Sequence, residues 1–173
     1  MAPSAIPSIV FKGQPREMTP DDIQEVIAAY GAAARRAREA GFDAVEIHGA
    51  HGYLITQFLS ALTNQRTDAY GGATLKERAR FALEVICEVR RQVGADYPVS
   101  IRLSAEEFIK GGYLVEDIQT VIPDMVQSGI DIVHASFGTH GSPGGITQAP
   151  PEYEGGFNIR LARKIKEVTN VPV

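Results

Sequence analysis

Strict alternation of helix-type and strand-type segments limits the fold of this chain more than any other feature. Ile23, Val26, Ile27, Tyr30 and Ala34 recur at helical spacing. Thr19 suits the N-cap before them, Pro20 the first helical position, and Asp22 stands three residues past the cap. Gly41 ends that helix, and residues 42–48 read as a strand. Leu75, Ala79, Ala82, Ile86, Val89 and Val93 predict a second helix closed by Gly94, followed by a strand over 98–104. Ile118, Val121, Ile122, Met125 and Val126 predict a third helix, kinked by Pro123 and closed by Gly129, then a strand over 130–136. A Gly/Pro-rich loop over 138–156 leads to a fourth helix over 159–168, and residues 171–173 start a fourth strand. Residues 48–75 read as a long polar loop, and residues 1–16, with Pro3, Pro7, Gly13 and Pro15, as an extended connector.

Alternation of this kind predicts an α/β fold, a parallel sheet with helices outside. An open doubly wound sheet carries a G-x-G-x-x-G loop after its first strand, and no such loop follows a strand here. The segment GFDAVE at residues 41–46 is echoed by GIDIVH at 129–134, and each is followed by a His-Gly pair, at 51–52 and 140–141. Repeated helix-end, strand and loop units fit a (β/α)8 barrel. A whole barrel takes roughly 250 residues, and this chain has 173. The expected domain is therefore a partial TIM barrel over residues 17–173, roughly the middle βα units. Its open sheet edges favour pairing with another copy, a homo-oligomer.

Composition narrows the function. A formal net charge of −4 with no basic face argues against nucleic acid as a partner. The single cysteine, Cys87, rules out a disulfide within the chain; its place among Leu83, Ile86 and Val89 reads as a small buried hydrophobe. The charged runs over 76–80 and 160–166 read as solvated helix faces. With no charged leader before an apolar run and no membrane-length apolar stretch, a cytoplasmic protein without a membrane partner is expected.

Side chains alternate along a strand. Val45 and Ile47 oppose Glu46 and His48, and Val99, Ile101 and Leu103 oppose Ser100, Arg102 and Ser104. The aliphatic sets should meet the outer helices and the polar sets should face the barrel interior. His134 and Ser136 share a face of the third strand. One role for Glu46 and Arg102 is an interior ion pair. Another belongs to the carboxyl-end mouth, where barrel active sites sit, and His48, Arg102, Ser104 and Ser136 all lie near such ends. Two imidazoles and a phenol, His48, His51 and Tyr53, fall within six residues of a Gly-softened stretch. Such groups can polarise a carbonyl and deliver a proton. Glu46, His48 and His51 are also competent metal ligands, so a metal-dependent hydrolase or lyase stands as an alternative, as does a non-catalytic barrel fragment.

The run GFDAVEIHGAHGYLITQFLS at residues 41–60, with NQRTDAYGG at 64–72, RARF at 78–81 and IRLS at 101–104, resembles the Old Yellow Enzyme family of NADH:flavin oxidoreductases. The resemblance covers about residues 14–173 and implies a (β/α)8 barrel with FMN at its mouth. It implies an enzyme that takes hydride from NADH or NADPH and passes it to an activated C=C bond, the substrate being a small alkene such as an enone or enoyl thioester. By resemblance, His48 and His51 hydrogen-bond the substrate carbonyl beside the flavin, Tyr53 donates the proton, and Arg102 contacts the flavin ring. His140, in the short stretch FGTH, resembles a histidine of the dienoyl-CoA reductase branch that works with the tyrosine as an acid. Asn64, Arg66, Asp68, Tyr70, Gly71 and Gly72 resemble a loop-folding signature. The family's other strands, its phosphate-holding loops, and that branch's iron–sulfur and second flavin domains lie outside this sequence.

Overall fold

The computed structural model describes residues 1–7, 13–143, 147 and 156–173. Three parallel strands, β1 (Val45–Gly49), β2 (Val99–Ser104) and β3 (Ile132–Ser136), lie side by side in chain order. Helix α1 (Pro20–Glu39) precedes β1; α2 (Leu54–Leu59), α3 (Leu75–Arg78) and α4 (Arg80–Val93) separate β1 from β2. Helices α5 (Val115–Gln119) and α6 (Ile122–Gln127) separate β2 from β3, and α7 (Ile159–Lys166) follows. Residues 171–173 form no strand, yet Val133 N donates to Pro172 O at 3.0 Å, so the chain returns alongside β3. The predicted loop over 138–156 falls largely on residues outside those described.

The two faces of the sheet divide as the alternation requires. Ile47, Val99, Ile101, Leu103 and Val133 are buried beneath helices in one continuous core. Glu46, Ile132 and His134 stand exposed on the opposite face. Register sets the levels on that face: Glu46 lies beside Ser100, and His48 beside Arg102, which in turn lies beside His134.

Local chemistry accounts for the helix ends. Thr19 accepts from Asp22 N while the Asp22 carboxylate accepts from Thr19 N at 2.7 Å, a capping box with Pro20 in the first turn. Thr74 and Glu77 repeat the device at α3. Gly94 (φ +77) and Gly129 (φ +123) turn the chain out of α4 and away from α6 in conformations costly for residues with a Cβ. The third predicted helix is two helices: Pro123 lacks an N–H and its ring would crowd the carbonyl of Gln119, so α5 stops there and α6 restarts with Pro123 in its first turn. The second predicted helix is likewise interrupted at Ala79.

Four expectations are corrected. The stretch over 48–75 contains α2, whose Ile55, Phe58 and Leu59 are fully buried, Phe58 stacking on Phe81 of α4 with ring centroids 4.2 Å apart. Cys87 is exposed, one residue and so about 100° around α4 from the buried Ile86. Arg78 is not solvated. It is 5% exposed and donates to the carbonyls of Leu59, Gly72 and Ala73, fastening the α2–α3 loop to the helix below. Glu46 does not pair with Arg102; it accepts from Ser100 Oγ, its neighbour in the register, at 2.9 Å and reaches diagonally to His134 Nδ1 at 3.1 Å.

The 64–72 stretch is a folded loop. Asn64 donates to Phe58 O and Tyr70 O, and Arg66 grips Asp68 while donating to Pro3 O and Met18 O. A Cβ at Gly71 would stand 1.9 Å from Arg66 O, so only glycine fits. Among the described residues no helix is long and apolar enough to cross a membrane.

Arg78→Met leaves the buried Leu59 carbonyl and the part-buried bonds to Gly72 and Ala73 without their donor, and should lower the unfolding free energy by about 3 kcal/mol. Arg80→Met removes an exposed ion pair with Glu84 and a contact of its guanidinium over the Tyr70 ring, and should cost about 1 kcal/mol. Urea unfolding of the two variants measures the contrast.

Candidate active site

The carboxyl ends of the three strands are stitched together by one buried hydroxyl. Ser104, at the end of β2 and fully buried, accepts from His51 N at 2.8 Å and donates to Gly138 O at 2.6 Å. His140 N donates to His51 O at 3.3 Å, and His51 bridges Thr139 in parallel. The loop after β1 thus crosses the end of β2 and pairs with the loop after β3. His51 adopts φ +65 to do so, followed by Gly52 at φ +83. The two His-Gly pairs of the internal echo meet here.

This crossing gathers aromatic and imidazole rings. The His48 and His51 rings are 5.3 Å apart, His48 and Tyr53 5.2 Å, and Tyr53 and His140 5.0 Å, edge to face. Tyr53 begins α2 and is 48% exposed, so its hydroxyl-bearing ring borders solvent while the imidazoles sit behind it.

Arg102 lies beside His48 in the register. Its Nε is buried and has no hydrogen-bond partner among the described residues, and its NH2 makes only a long 3.4 Å contact to Ser136 Oγ. A guanidinium can only donate, so Ser136 accepts from it, and the Ser136 hydroxyl hydrogen is available to His51 Nε2, 2.7 Å away. Ser136 therefore ties His51 to Arg102, a role that sequence reasoning did not give it. The signal was present in the alternation, which put Ser136 on the polar face at the last position of its strand, level with Ser104.

Electrostatics keep both imidazoles neutral. Burial, reinforced by the Arg102 charge, pushes His51 down to about 4 and holds His48 below the ordinary histidine range. At neutral pH each ring therefore offers one N–H donor and no charge. Glu46, His48 and His51 do not converge as metal ligands: Glu46 turns to His134 and His51 to Ser136. Among the described residues no group of three or more His, Cys, Asp or Glu side chains is placed to hold a metal ion.

An under-satisfied guanidinium beside two neutral donors suits an electron-rich planar ring bearing acceptor atoms. FMN fits these residues: Arg102 would hold the acceptor edge of its isoalloxazine, with His48 and His51 alongside.

Comparison with known proteins agrees with this chemistry. The model of the NADH:flavin oxidoreductase / NADH oxidase family matches residues 2–173. The chain is 43% identical over 173 residues to an NADH oxidase of Thermoanaerobacter brockii, covering 100% of this chain and 26% of that protein. It is 42% identical over 172 residues to an NADPH dehydrogenase of Clostridium acetobutylicum, covering 99% of this chain and 49% of the relative. Among solved structures, the complex of 2-naphthoyl-CoA reductase with 2-naphthoyl-CoA superposes with a TM-score of 0.90 at 35% identity, over 99% of this chain and 26% of that one. Morphinone reductase in complex with tetrahydroNAD superposes with a TM-score of 0.73 at 29% identity, over 98% and 47%. The chain thus spans about a quarter to a half of the proteins it matches, and its three-stranded sheet is part of a TIM barrel.

The pH dependence of stability follows from His51. Above its ordinary value of 6.5 the ring is neutral whether folded or not; between 6.5 and about 4 only the unfolded chain binds the proton. The His51 share of the stability should therefore be full above pH 6.5, fall as the pH drops towards 4, and change no further below that. His51→Asn, a residue that tolerates positive φ, should make that fall shallower in urea unfolding measured across the range.

Proposed function

The chain belongs to the NADH:flavin oxidoreductase / NADH oxidase family, and on that premise we propose that it supplies the substrate-activating rim of an FMN-dependent ene-reductase. The observation that carries this is the contact series His51–His48–Tyr53–His140 beside a guanidinium whose Nε lacks a partner among the described residues. When bound, FMN supplies hydride, received from NADH or NADPH, to the β-carbon of an alkene conjugated with a carbonyl.

The side chains perform the rest. Arg102 holds the acceptor edge of the cofactor and offsets negative charge there. His48 and His51, neutral at pH 7, each donate to the substrate carbonyl oxygen, stabilising the charge that grows on it as hydride arrives at the β-carbon. Neutrality matters for orientation as well, since Ser136 fixes the His51 ring through Nε2. Tyr53 delivers a proton to the α-carbon, closing the former double bond, and regains its proton from solvent, which its exposure admits. His140, edge-on to Tyr53, holds the phenol in place and joins the proton path.

The substrate is a small alkene activated by a carbonyl, an enone or enoyl thioester. The ligand of the similar 2-naphthoyl-CoA reductase, a thioester carbonyl conjugated to an unsaturated ring, supports that class. The net charge of −4 accords with a small-molecule partner in the cytoplasm in place of nucleic acid.

In a holoenzyme carrying this segment, Tyr53→Phe should slow alkene reduction by about 100-fold while FMN reduction by NADPH stays nearly unchanged, as stopped-flow absorbance of the two half-reactions reads separately. Protein that is colourless and takes up no added FMN would overturn the proposal.

A further inference from the structure

A cavity of about 550 Å³ opens beside the ring series, a size and character suited to part of a small ligand. Its walls are Ile6, Pro7 and Pro15 of the N-terminal stretch, Leu62 after α2, and Ile109 after β2. Gly52, Thr139 and His140 form its edge nearest the catalytic rings. His140 belongs to both places: its ring lies 5.0 Å from that of Tyr53, and Tyr53 lies 5.2 Å from His48. A molecule reacting in front of Tyr53 therefore has an apolar chamber one ring away.

The chamber carries a buried carboxyl group. Glu107 lines it and is only 3% exposed, with Oε2 accepting from Ser60 Oγ at 2.8 Å and from Tyr113 N at 3.0 Å. Burial raises its pKa above the ordinary carboxylate range, opposed by the hydrogen bonds from Tyr113 N and Ser60 and, least, by the charge of Arg78. A carboxylate placed inside the same low-dielectric space would lose its hydration and meet, in Glu107 Oε2, an oxygen that accepts from Ser60 and Tyr113 and offers it no donor. The cation of the cavity, Lys110, is exposed, so it is screened by water. The N-terminal wall is held by the Arg66 guanidinium, which donates to Pro3 O at 2.8 Å and Met18 O at 2.7 Å. The chamber is thus a built feature whose walls come from three separate stretches of sequence.

We propose that this cavity is the specificity pocket of the enzyme, holding a neutral apolar body, aryl or alkyl, attached to the reacting alkene, and rejecting bodies that carry a carboxylate. The proposal rests on the ene-reductase assignment for the identity of the reacting group, but the pocket itself is defined without the cofactor.

Two probes of matched shape test it on the whole protein that carries this segment: 4-(4-nitrophenyl)-3-buten-2-one (the ketone), neutral, and 4-(3-oxobut-1-enyl)benzoate (the carboxylate), charged on its aryl body, each titrated by amide NMR. The ketone should move the amides of Gly52, Leu62, Ile109 and Gly141. Leu62→Trp and Ile109→Trp, each filling the chamber from a different wall, should each weaken its binding at least about tenfold. The carboxylate should bind at least about tenfold more weakly than the ketone, and Glu107→Gln should narrow that gap. Ketone shifts confined to another surface, ketone affinity indifferent to both tryptophan variants, or a carboxylate discrimination that is absent or untouched by Glu107→Gln would overturn the proposal. A parallel FMN titration of the whole protein, stripped of cofactor, separates the two ideas. Ketone in the chamber with no FMN uptake removes the flavin assignment and leaves the pocket; FMN uptake with indifferent tryptophan variants removes the pocket alone.

Discussion

The in-register parallel pairing of β1, β2 and β3 is the constraint on which everything else depends. Parallel strands need crossover connections, and the helices that make them cover one face of the sheet. Once Ile47, Val99, Ile101, Leu103 and Val133 are committed to that cover, alternation leaves His48, Arg102, His134 and Ser136 on the other face. Two polar levels result. The lower one satisfies itself, Glu46 accepting from Ser100 beside it and reaching diagonally up to His134. The upper one, at the strand ends, does not: Arg102 keeps a buried Nε without a partner among the described residues. A group left short of partners in a folded protein is a demand placed on a ligand.

Arg102 also governs its neighbours. A permanent positive charge beside half-buried His48 and buried His51 penalises a second positive charge there, and burial adds to the penalty. The outcome is a pair of donors that stay uncharged where an ordinary histidine would begin to titrate. Hydrogen-bond donors of this kind can meet charge as it develops on an oxygen without first attracting an anion. The site is thereby tuned by packing and by one guanidinium, with no metal ligand set among the described residues.

Much of this was legible in the sequence because it rests on local rules. Thr19, Pro20 and Asp22 announce α1; Gly94 and Gly129 mark reversals; the alternating polarity of residues 98–104 separates the faces of β2. The chain also advertised the rim, since His48, His51 and Tyr53 are close in sequence. What escaped were features decided by packing between distant segments. Helix α2 is only six residues long and sits among glycines, so its apolar spacing was too short to outweigh its surroundings. Arg78 carries the charge of a surface residue, yet the carbonyls of Leu59, Gly72 and Ala73 bring it indoors. Cys87 follows apolar neighbours but misses the buried stripe by one position. Glu46 and Arg102 looked like partners until the register placed them on different levels. Ser136 carried a polar-face signal, but its bond to His51 spans 85 positions and no sequence periodicity encodes it.

The crosswise stitching of the rim has a consequence for how such a surface diversifies. Because His51 bonds Ser104 and pairs with Thr139, and Ser104 bonds Gly138, the segments 49–53 and 136–140 act as two teeth of one zip. An insertion or deletion within either tooth would slide both histidines out of step. Length changes are admissible only farther along each loop, after the seam has closed. Variation among proteins built this way should therefore exchange side chains on the seam and alter chain length beyond it.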